Sequence, residues 1–417
     1  MALNWVWVGL LLCGMATAAV RAALGEVELF GTLLKALFDG ARSGFEISLG
    51  LVGIMTLWLG LMRVGERAGM VQWLARAAHP LLARLFPGVP AGHPAQGAMT
   101  LNVSANLLGL DNAATPLGLS AMRELQSLNR ESPGSASDAQ IMFVVMNTAG
   151  LTLIPTSVIA IRQSVAVQQG LGAGFNAADI FLPTLIVTFV SLLAGVLAVA
   201  WYQRLPLLRP KPLLVLAGIS ALLAGVLAYF SRLPAEQAAR ITGSLGAACI
   251  LAVVLAFVLL GAWRRVNLYD AFIDGAKEGF GVAVQIIPYL VAILAAIGVF
   301  RAAGCMDALL TVIGSAVAAL GLDTEFLPAL PVGLMKVLSG AGARGLMVDV
   351  MQAHGVDSFP ARLAAIIQGS TETTFYVLAV YFGSVGVHNT RHALACALLA
   401  DWVGILAAIG VAYLLWR

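Results

Sequence analysis

Long apolar runs, each close to the length that crosses a bilayer, occupy most of the chain. A helix needs about 20 apolar residues to span the hydrocarbon core. Nine stretches approach that length, at residues 4–23, 45–62, 141–161, 179–202, 213–231, 241–262, 283–300, 363–386 and 393–416. The pattern therefore predicts an all-α polytopic membrane protein with about nine full spans.

Two of these runs carry polar residues at their centre. Residues 368–376 read Gln-Gly-Ser-Thr-Glu-Thr-Thr-Phe-Tyr, and residues 146–157 include Asn147, Thr148 and Pro155. Hydroxyls in membrane helices often bond back to the preceding turn, which would explain one or two of them. That does not explain a carboxylate, because an ionisable side chain near the bilayer centre costs roughly 2.5 to 3.5 kcal/mol. We therefore predict that these helices are broken around a polar ligand.

A short motif occurs twice in the chain. Residues 38–45 read Phe-Asp-Gly-Ala-Arg-Ser-Gly-Phe, and residues 273–280 read Ile-Asp-Gly-Ala-Lys-Glu-Gly-Phe. Each copy is followed by an apolar span, an amphipathic segment, a small-residue stretch with a polar tip, a polar-centred span and an apolar closing span. This order predicts a duplication. The halves are residues 1–203 and 266–417, with a two-helix linker at 204–265.

The two polar-tipped stretches, 92–125 and 325–353, are too rich in Gly, Pro, Asn and Asp to cross as ordinary spans. We predict that they form re-entrant hairpins, which membranes tolerate where the backbone is buried in protein. The unit that follows each copy of the motif then crosses three times, so that two linker spans leave the two units in opposite orientations. Inverted repeats of this kind are typical of secondary transporters. Basic residues at 204–212 and 264–265 place those segments in the cytoplasm.

Composition excludes several classes of protein. The 417 residues are 60% hydrophobic and 11% charged, with a net charge of +3 and no basic block, so we expect no nucleic-acid partner. The four cysteines are isolated, and His388 and His392 lack a third ligand, which argues against a metal site. The chain has no Walker motif, nucleophile elbow or His-Glu-x-x-His motif. We expect no enzymatic activity.

Longer motifs are similar to two known families. Residues 59–63, 85–90 and 105–118 resemble spore maturation protein A, whereas residues 274–280, 368–376 and 381–384 resemble spore maturation protein B. The resemblance covers nearly the whole chain and implies a fusion, in which each half is a nucleoside recognition or gate domain. It also implies a repeat order like that of concentrative nucleoside transporters.

Candidate substrate- or ion-binding residues come from both hairpins and both polar-centred spans. They are Asn102, Asn106, Asn112, Thr115, Asn147, Thr148, Ser339, Gly340, Gln368, Ser370, Thr371, Glu372, Thr373 and Thr374. Their oxygens suit sodium or a polar solute. Each has a structural alternative. Asn102 and Asn106 would form hydrogen bonds between two neighbouring helices, and residues 112–116 would form a turn and a helix start. Asp401 would pair with a cation.

These features predict a secondary transporter or permease in the bacterial inner membrane, for a nucleoside-like or other small polar solute. No cofactor is expected, with sodium or protons as the candidate coupling ions. Partners are therefore the solute or ion and membrane lipid, and a homo-oligomer stays open. Glu372, the only carboxylate in either polar centre, is the expected cation ligand, proton carrier or substrate acceptor. The alternative is a non-transporting structural or signalling component of a cell-envelope complex.

Overall fold

The computed structural model describes residues 2–109, 111–129, 132–150, 152–172, 174–205 and 210–417, which are largely helical. The first half contains α1 Ala2–Ala23, α2 Leu29–Arg67, α3 Met70–Leu85, α4 Pro94–Leu107, α5 Asp111–Leu128, α6 Asp138–Thr148, α7 Thr156–Gln168 and α8 Phe181–Gln203. The linker contains α9 Pro210–Phe230 and α10 Ala235–Trp263. The second half contains α11 Leu268–Ala302, α12 Cys305–Ala319, α13 Leu330–Leu338, α14 Gly340–His354, α15 Phe359–Ser370, α16 Thr374–Gly383 and α17 Ala393–Trp416.

Within the described residues, seven helical segments are long and apolar enough to cross a membrane. They are Asn4–Ala23, Leu29–Arg67, Ala177–Gln203, Ala235–Trp263, Leu268–Ala302, Phe359–Gly383 and Ala393–Trp416. The all-α polytopic prediction is confirmed. Of the two further predicted spans, run 141–161 is divided between α6 and α7, whereas run 213–231 corresponds to the 21-residue helix α9. Pro155 accounts for the division, because it cannot donate a helical hydrogen bond and disfavours helical backbone before it.

The helices that carry the repeated motif, α2 and α11, cross in opposite directions. A Cβ on Gly44 would lie 2.8 Å from the Val291 backbone nitrogen, and a Cβ on Gly279 would lie 2.5 Å from the Met55 carbonyl oxygen. Residue numbers increase along α2 in the direction in which they decrease along α11. These two helices occupy equivalent places in the duplicated unit, and they are therefore antiparallel. Inverted repeats require that orientation. The motif glycines allow the two backbones to approach closely.

The chain divides into two compact units, and each draws residues from both predicted halves. The first unit comprises Met1–Leu59, Ser157–Ala177 and Ala276–Gln368, and the second comprises Gly60–Thr156, Ala178–Gly275 and Gly369–Arg417. One boundary follows Thr156 and another follows Gln368, so each polar-centred span is divided between the units. The division of the sequence at 203 and 265 stays a prediction, since a duplication in sequence need not coincide with a compact unit.

Both predicted hairpins are present as packed helix pairs, α4 with α5 and α13 with α14. In the second unit, Gly109 ends α4 with a φ of 71°, and a Cβ there would lie 3.0 Å from the Ile154 carbonyl oxygen. In the first unit, the extended Ser339 separates α13 from α14, and its Oγ accepts a hydrogen bond from the Gly342 N–H at 3.1 Å. Insertion of these hairpins from opposite membrane faces remains a prediction.

The second unit has a large apolar core that joins residues far apart in sequence. Met122, Phe143 and Val199 from the first half pack in one buried cluster with Phe382 and Ala397 from the second half. All five are at most 2% exposed. Close packing of this kind, rather than the exclusion of water, holds helices together inside a bilayer.

Candidate binding site at the broken helices

The second unit brings the two polar breaks into direct contact. The first break separates α6, which ends at Thr148, from α7. The second break separates α15 from α16, which begins at Thr374. The backbone N–H of Glu372 donates a hydrogen bond to the Thr148 carbonyl oxygen at 2.8 Å. The bond satisfies one of the carbonyls left without a helical partner at the end of α6.

Local sequence explains where α6 begins, and a glycine follows its end. Ser137 and Gln140 form a reciprocal capping box at its first turn. Beyond Thr148, Gly150 lies beside the second break, where a Cβ would be 3.3 Å from the Glu372 Cγ. A larger residue at position 150 would therefore press on the Glu372 side chain.

Three amides and one phenol form a connected hydrogen-bond network, here called the amide network. The Asn147 Oδ1 accepts from the Asn106 Nδ2 at 2.9 Å and from the Tyr381 hydroxyl at 3.2 Å. The Asn102 Nδ2 donates to the Ala114 carbonyl oxygen at 2.8 Å and to the Tyr381 hydroxyl at 3.4 Å. Asn102 is fully buried, yet its Oδ1 has no hydrogen-bond partner within the described part of the chain.

The positions of these side chains follow from helix geometry. Asn102 and Asn106 are four residues apart on α4, so they share one face of that helix. Tyr381 approaches α5 at Gly118, where a Cβ would overlap the phenol oxygen. Glycine at position 118 therefore makes room for the phenol that links Asn102 to Asn147.

A second polar group, here called the carboxylate cluster, consists of Asp401, Thr374, Thr371 and Ser191. Asp401 on α17 is 1% exposed, and its Oδ2 accepts a hydrogen bond from the Thr374 hydroxyl at 2.6 Å. The Ser191 hydroxyl donates to the Ala400 carbonyl oxygen at 2.9 Å. Gly404 permits this packing, since a Cβ there would lie 3.2 Å from Ser191 and 3.3 Å from Thr371. The cluster thus fixes the start of α16 against α17.

The structure distributes the predicted site residues between the two units. The second unit holds Asn102, Asn106, Thr115, Asn147, Thr148, Ser370, Thr371, Glu372, Thr373 and Thr374, whereas the first holds Ser339, Gly340 and Gln368. The side chain of Asn112 lies outside the described residues. Thr148 bonds its own helix through the Val145 carbonyl oxygen, as the back-bonding alternative expects, while Glu372 is half-buried.

The alternative that Asn102 forms a hydrogen bond between neighbouring helices is correct for its Nδ2, which donates to the Ala114 carbonyl oxygen on the partner helix of the hairpin. Asn106 instead bonds Asn147 on α6. Sequence reasoning did not place Tyr381 or Gly118 in the site. The alternative that Asp401 pairs with a cation stays a prediction, and the Thr374 hydroxyl is one of its partners. Spacing carried a signal for Tyr381, since it lies seven residues after Thr374 and therefore on the same face of α16.

The fold and this site define a multi-pass helical membrane protein with polar groups gathered at broken helices. The family model described as Gate, nucleoside recognition, matches residues 48–164 and 283–388, which is more than half of the chain. The chain therefore belongs to the nucleoside recognition family. The amide network lies inside the matched residues, and Asp401 lies outside them.

Two bacterial relatives each match part of the chain. Spore maturation protein B of Bacillus subtilis (strain 168) is 41% identical over 172 residues, covering 41% of this chain and 95% of that protein. Spore maturation protein A of the same strain is 37% identical over 188 residues, covering 45% of this chain and 89% of that protein. These matches confirm the resemblance to a fusion of the two.

Proposed function

We propose that the protein is a secondary transporter or permease of the bacterial inner membrane for a small polar solute. The hydrogen bond between the Glu372 N–H and the Thr148 carbonyl oxygen carries this proposal, because it joins two broken helices beside a buried amide network. Transporters commonly bind substrate where broken helices meet. The family description makes nucleosides the first solutes to test.

The amide network has the chemistry to recognise a solute rich in hydrogen-bond donors and acceptors. An amide both donates and accepts, and the buried Asn102 Oδ1 retains acceptor capacity. Asn106 is only half-buried, so a solute reaching it would compete for the bond to Asn147. A site of this kind rejects analogues that lack the matching group, because its buried polar atoms would lose their partners.

We further propose that sodium or protons drive the transport and that the protein carries out no covalent chemistry. Glu372 and Asp401 are the two carboxylates at the second break and on the helix packed against it. The carbonyl end of α6 and the N–H end of α16 carry opposite partial charges, which suits a bound ion beside a polar solute. The proposal requires neither a nucleic-acid partner nor an organic cofactor.

Reconstituted liposomes test the proposal. We expect uptake of a radiolabelled nucleoside that depends on a sodium or proton gradient, and we expect Asn106→Ala to abolish it. Asn4→Ala is the matched control, because Asn4 is an exposed asparagine on α1. If a panel of nucleosides and other polar solutes produces neither uptake nor a shift in melting temperature, the structural or signalling role becomes the better explanation.

A further inference from the structure

An apolar groove of about 930 Å³ lies in the second unit, separate from the amide network. Helices α3 and α10 form its walls, and Leu108 and Leu153 add to its lining. Leu74, Val253, Ala256 and Leu260 give it an aliphatic surface. The groove therefore suits hydrocarbon chains rather than a polar solute.

Two arginines also line this groove. Within the described residues, neither Arg76 nor Arg264 forms an ion pair with a carboxylate. Arg264 lies against Gly69 at the start of α3, where a Cβ would overlap its Nη1. Two cations beside an aliphatic groove complement a ligand with an anionic head and apolar tails.

Two tryptophans in the lining indicate the depth of the groove in the membrane. Trp73 is 55% exposed and Trp263 is 82% exposed. Tryptophan concentrates at the level of lipid headgroups, where its ring meets both apolar and polar surroundings. The arginines and tryptophans therefore mark the headgroup end of the site, on the side that the basic residues 264–265 predict to be cytoplasmic.

We propose that this groove is a binding site for one anionic phospholipid. Its phosphate binds Arg76 and Arg264, and its acyl chains lie along α3 and α10. The chains reach Leu108, at the tip of the first hairpin, and Leu153, in the first break, whose N–H donates to the Leu107 carbonyl oxygen at 2.9 Å. The bound lipid thus stabilises the hairpin against the break. This inference does not depend on transport.

Native mass spectrometry of the full chain in detergent tests the inference with phosphatidylglycerol and phosphatidylcholine of identical chains. We expect phosphatidylglycerol to bind more tightly and to raise the melting temperature. The double change Arg76→Gln with Arg264→Gln should weaken its binding about 25-fold, from roughly fivefold for each arginine. It should weaken phosphatidylcholine binding less, because the choline cation offsets the charge of that lipid's phosphate. Ala256→Trp should reduce binding by filling the groove without changing its charge.

The matched control is Arg240→Gln, because Arg240 lies near the opposite end of α10 and is highly exposed. It should bind phosphatidylglycerol as the unmodified protein does. Equal affinity for the two lipids, or an unchanged affinity in the double arginine variant, would overturn the proposal. A result in which Arg240→Gln weakens binding as much as the double variant would also overturn it, since the attraction would then be general to the surface.

Discussion

The two polar breaks occupy matching places in a duplicated unit but carry different chemistry. The first break, 149–155, is bordered by Asn147 and Thr148 and contains no carboxylate. The second break, 371–373, is shorter, contains Glu372 and is held at Thr374 by the buried Asp401. Duplication thus preserved the interruption of the helix while its side chains diverged.

This difference suggests that the two breaks do different work. The amide network at the first break is neutral and keeps its hydrogen bonds over a wide pH range. The carboxylates at the second break change charge on binding a proton and attract a cation when ionised. Under the proposed transport function, we therefore expect solute recognition and ion sensitivity to respond to separate substitutions.

The largest effect is expected for Asn147→Ala at the first break. The change leaves the Asn106 amide and the Tyr381 hydroxyl without their shared acceptor. We expect a loss of about 2 to 3 kcal/mol in the free energy of unfolding, together with loss of nucleoside binding. Thermal unfolding and equilibrium binding in detergent measure both. Thr148→Val is the control, since that hydroxyl bonds its own helix, and equal losses in the two variants would contradict a special role for the network.

A smaller effect on stability is expected for Asp401→Ala at the second break. It removes the acceptor of the buried Thr374 hydroxyl and should lower the free energy of unfolding by about 1 to 2 kcal/mol. Asp401→Asn retains an acceptor and should restore much of that loss. If Asp401→Asn is as unstable as Asp401→Ala, the hydrogen bond does not hold the start of α16.

Glu372→Gln should change stability little, within about 0.5 kcal/mol, because the side chain is half-buried and the backbone bond to Thr148 persists. We expect the folded variant to bind solute without the pH or sodium dependence of the unmodified protein. Binding isotherms at several pH values and sodium concentrations measure this. Retention of normal ion dependence would refute the assignment of Glu372 as the coupling group.

The smallest effect is expected for His392→Phe, which separates histidine titration from that of the carboxylates. Burial and the neighbouring Arg391 lower the pKa of His392, so the unfolded chain takes up a proton first as the pH falls below about 6.5. The stability associated with the neutral ring is then lost toward lower pH. Phenylalanine preserves the stacking on Tyr202 and should reduce this loss. The pH profile of solute binding should not change, and any change there would implicate His392 in the ion response.

Local patterns predicted much of the architecture. Apolar length indicated the spans, and the polar centres marked both breaks, because a bilayer penalises unsatisfied groups wherever they occur. The repeated Asp-Gly-Ala motif indicated a duplication, and the antiparallel crossing of Gly44 at Val291 agrees with the inferred inversion. The spans, the breaks and the repeat were predictable because each is a pattern of residues close together in sequence. The inversion was predictable from the number of membrane crossings.

The partners of individual side chains could not be predicted in the same way. Asn102 and Tyr381 are 279 positions apart. Their contact depends on Gly118, and no turn in the local sequence indicates that this glycine has a structural role. The site expected from the sequence combines both hairpins with both breaks, and it stays a prediction. The second unit contains the first hairpin and both breaks, whereas the second hairpin belongs to the first unit.

The mixed core of the second unit has a consequence for how the protein is made. Phe143 and Phe382 belong to different halves but bury their rings in the same cluster. Two separate chains with this core would have to meet before either could complete it, at a rate set by their concentrations. One polypeptide delivers the halves in equal numbers and turns that encounter into an intramolecular step, with an effective concentration set by the connecting segment. Synthesis from a single message therefore fixes the stoichiometry of the core.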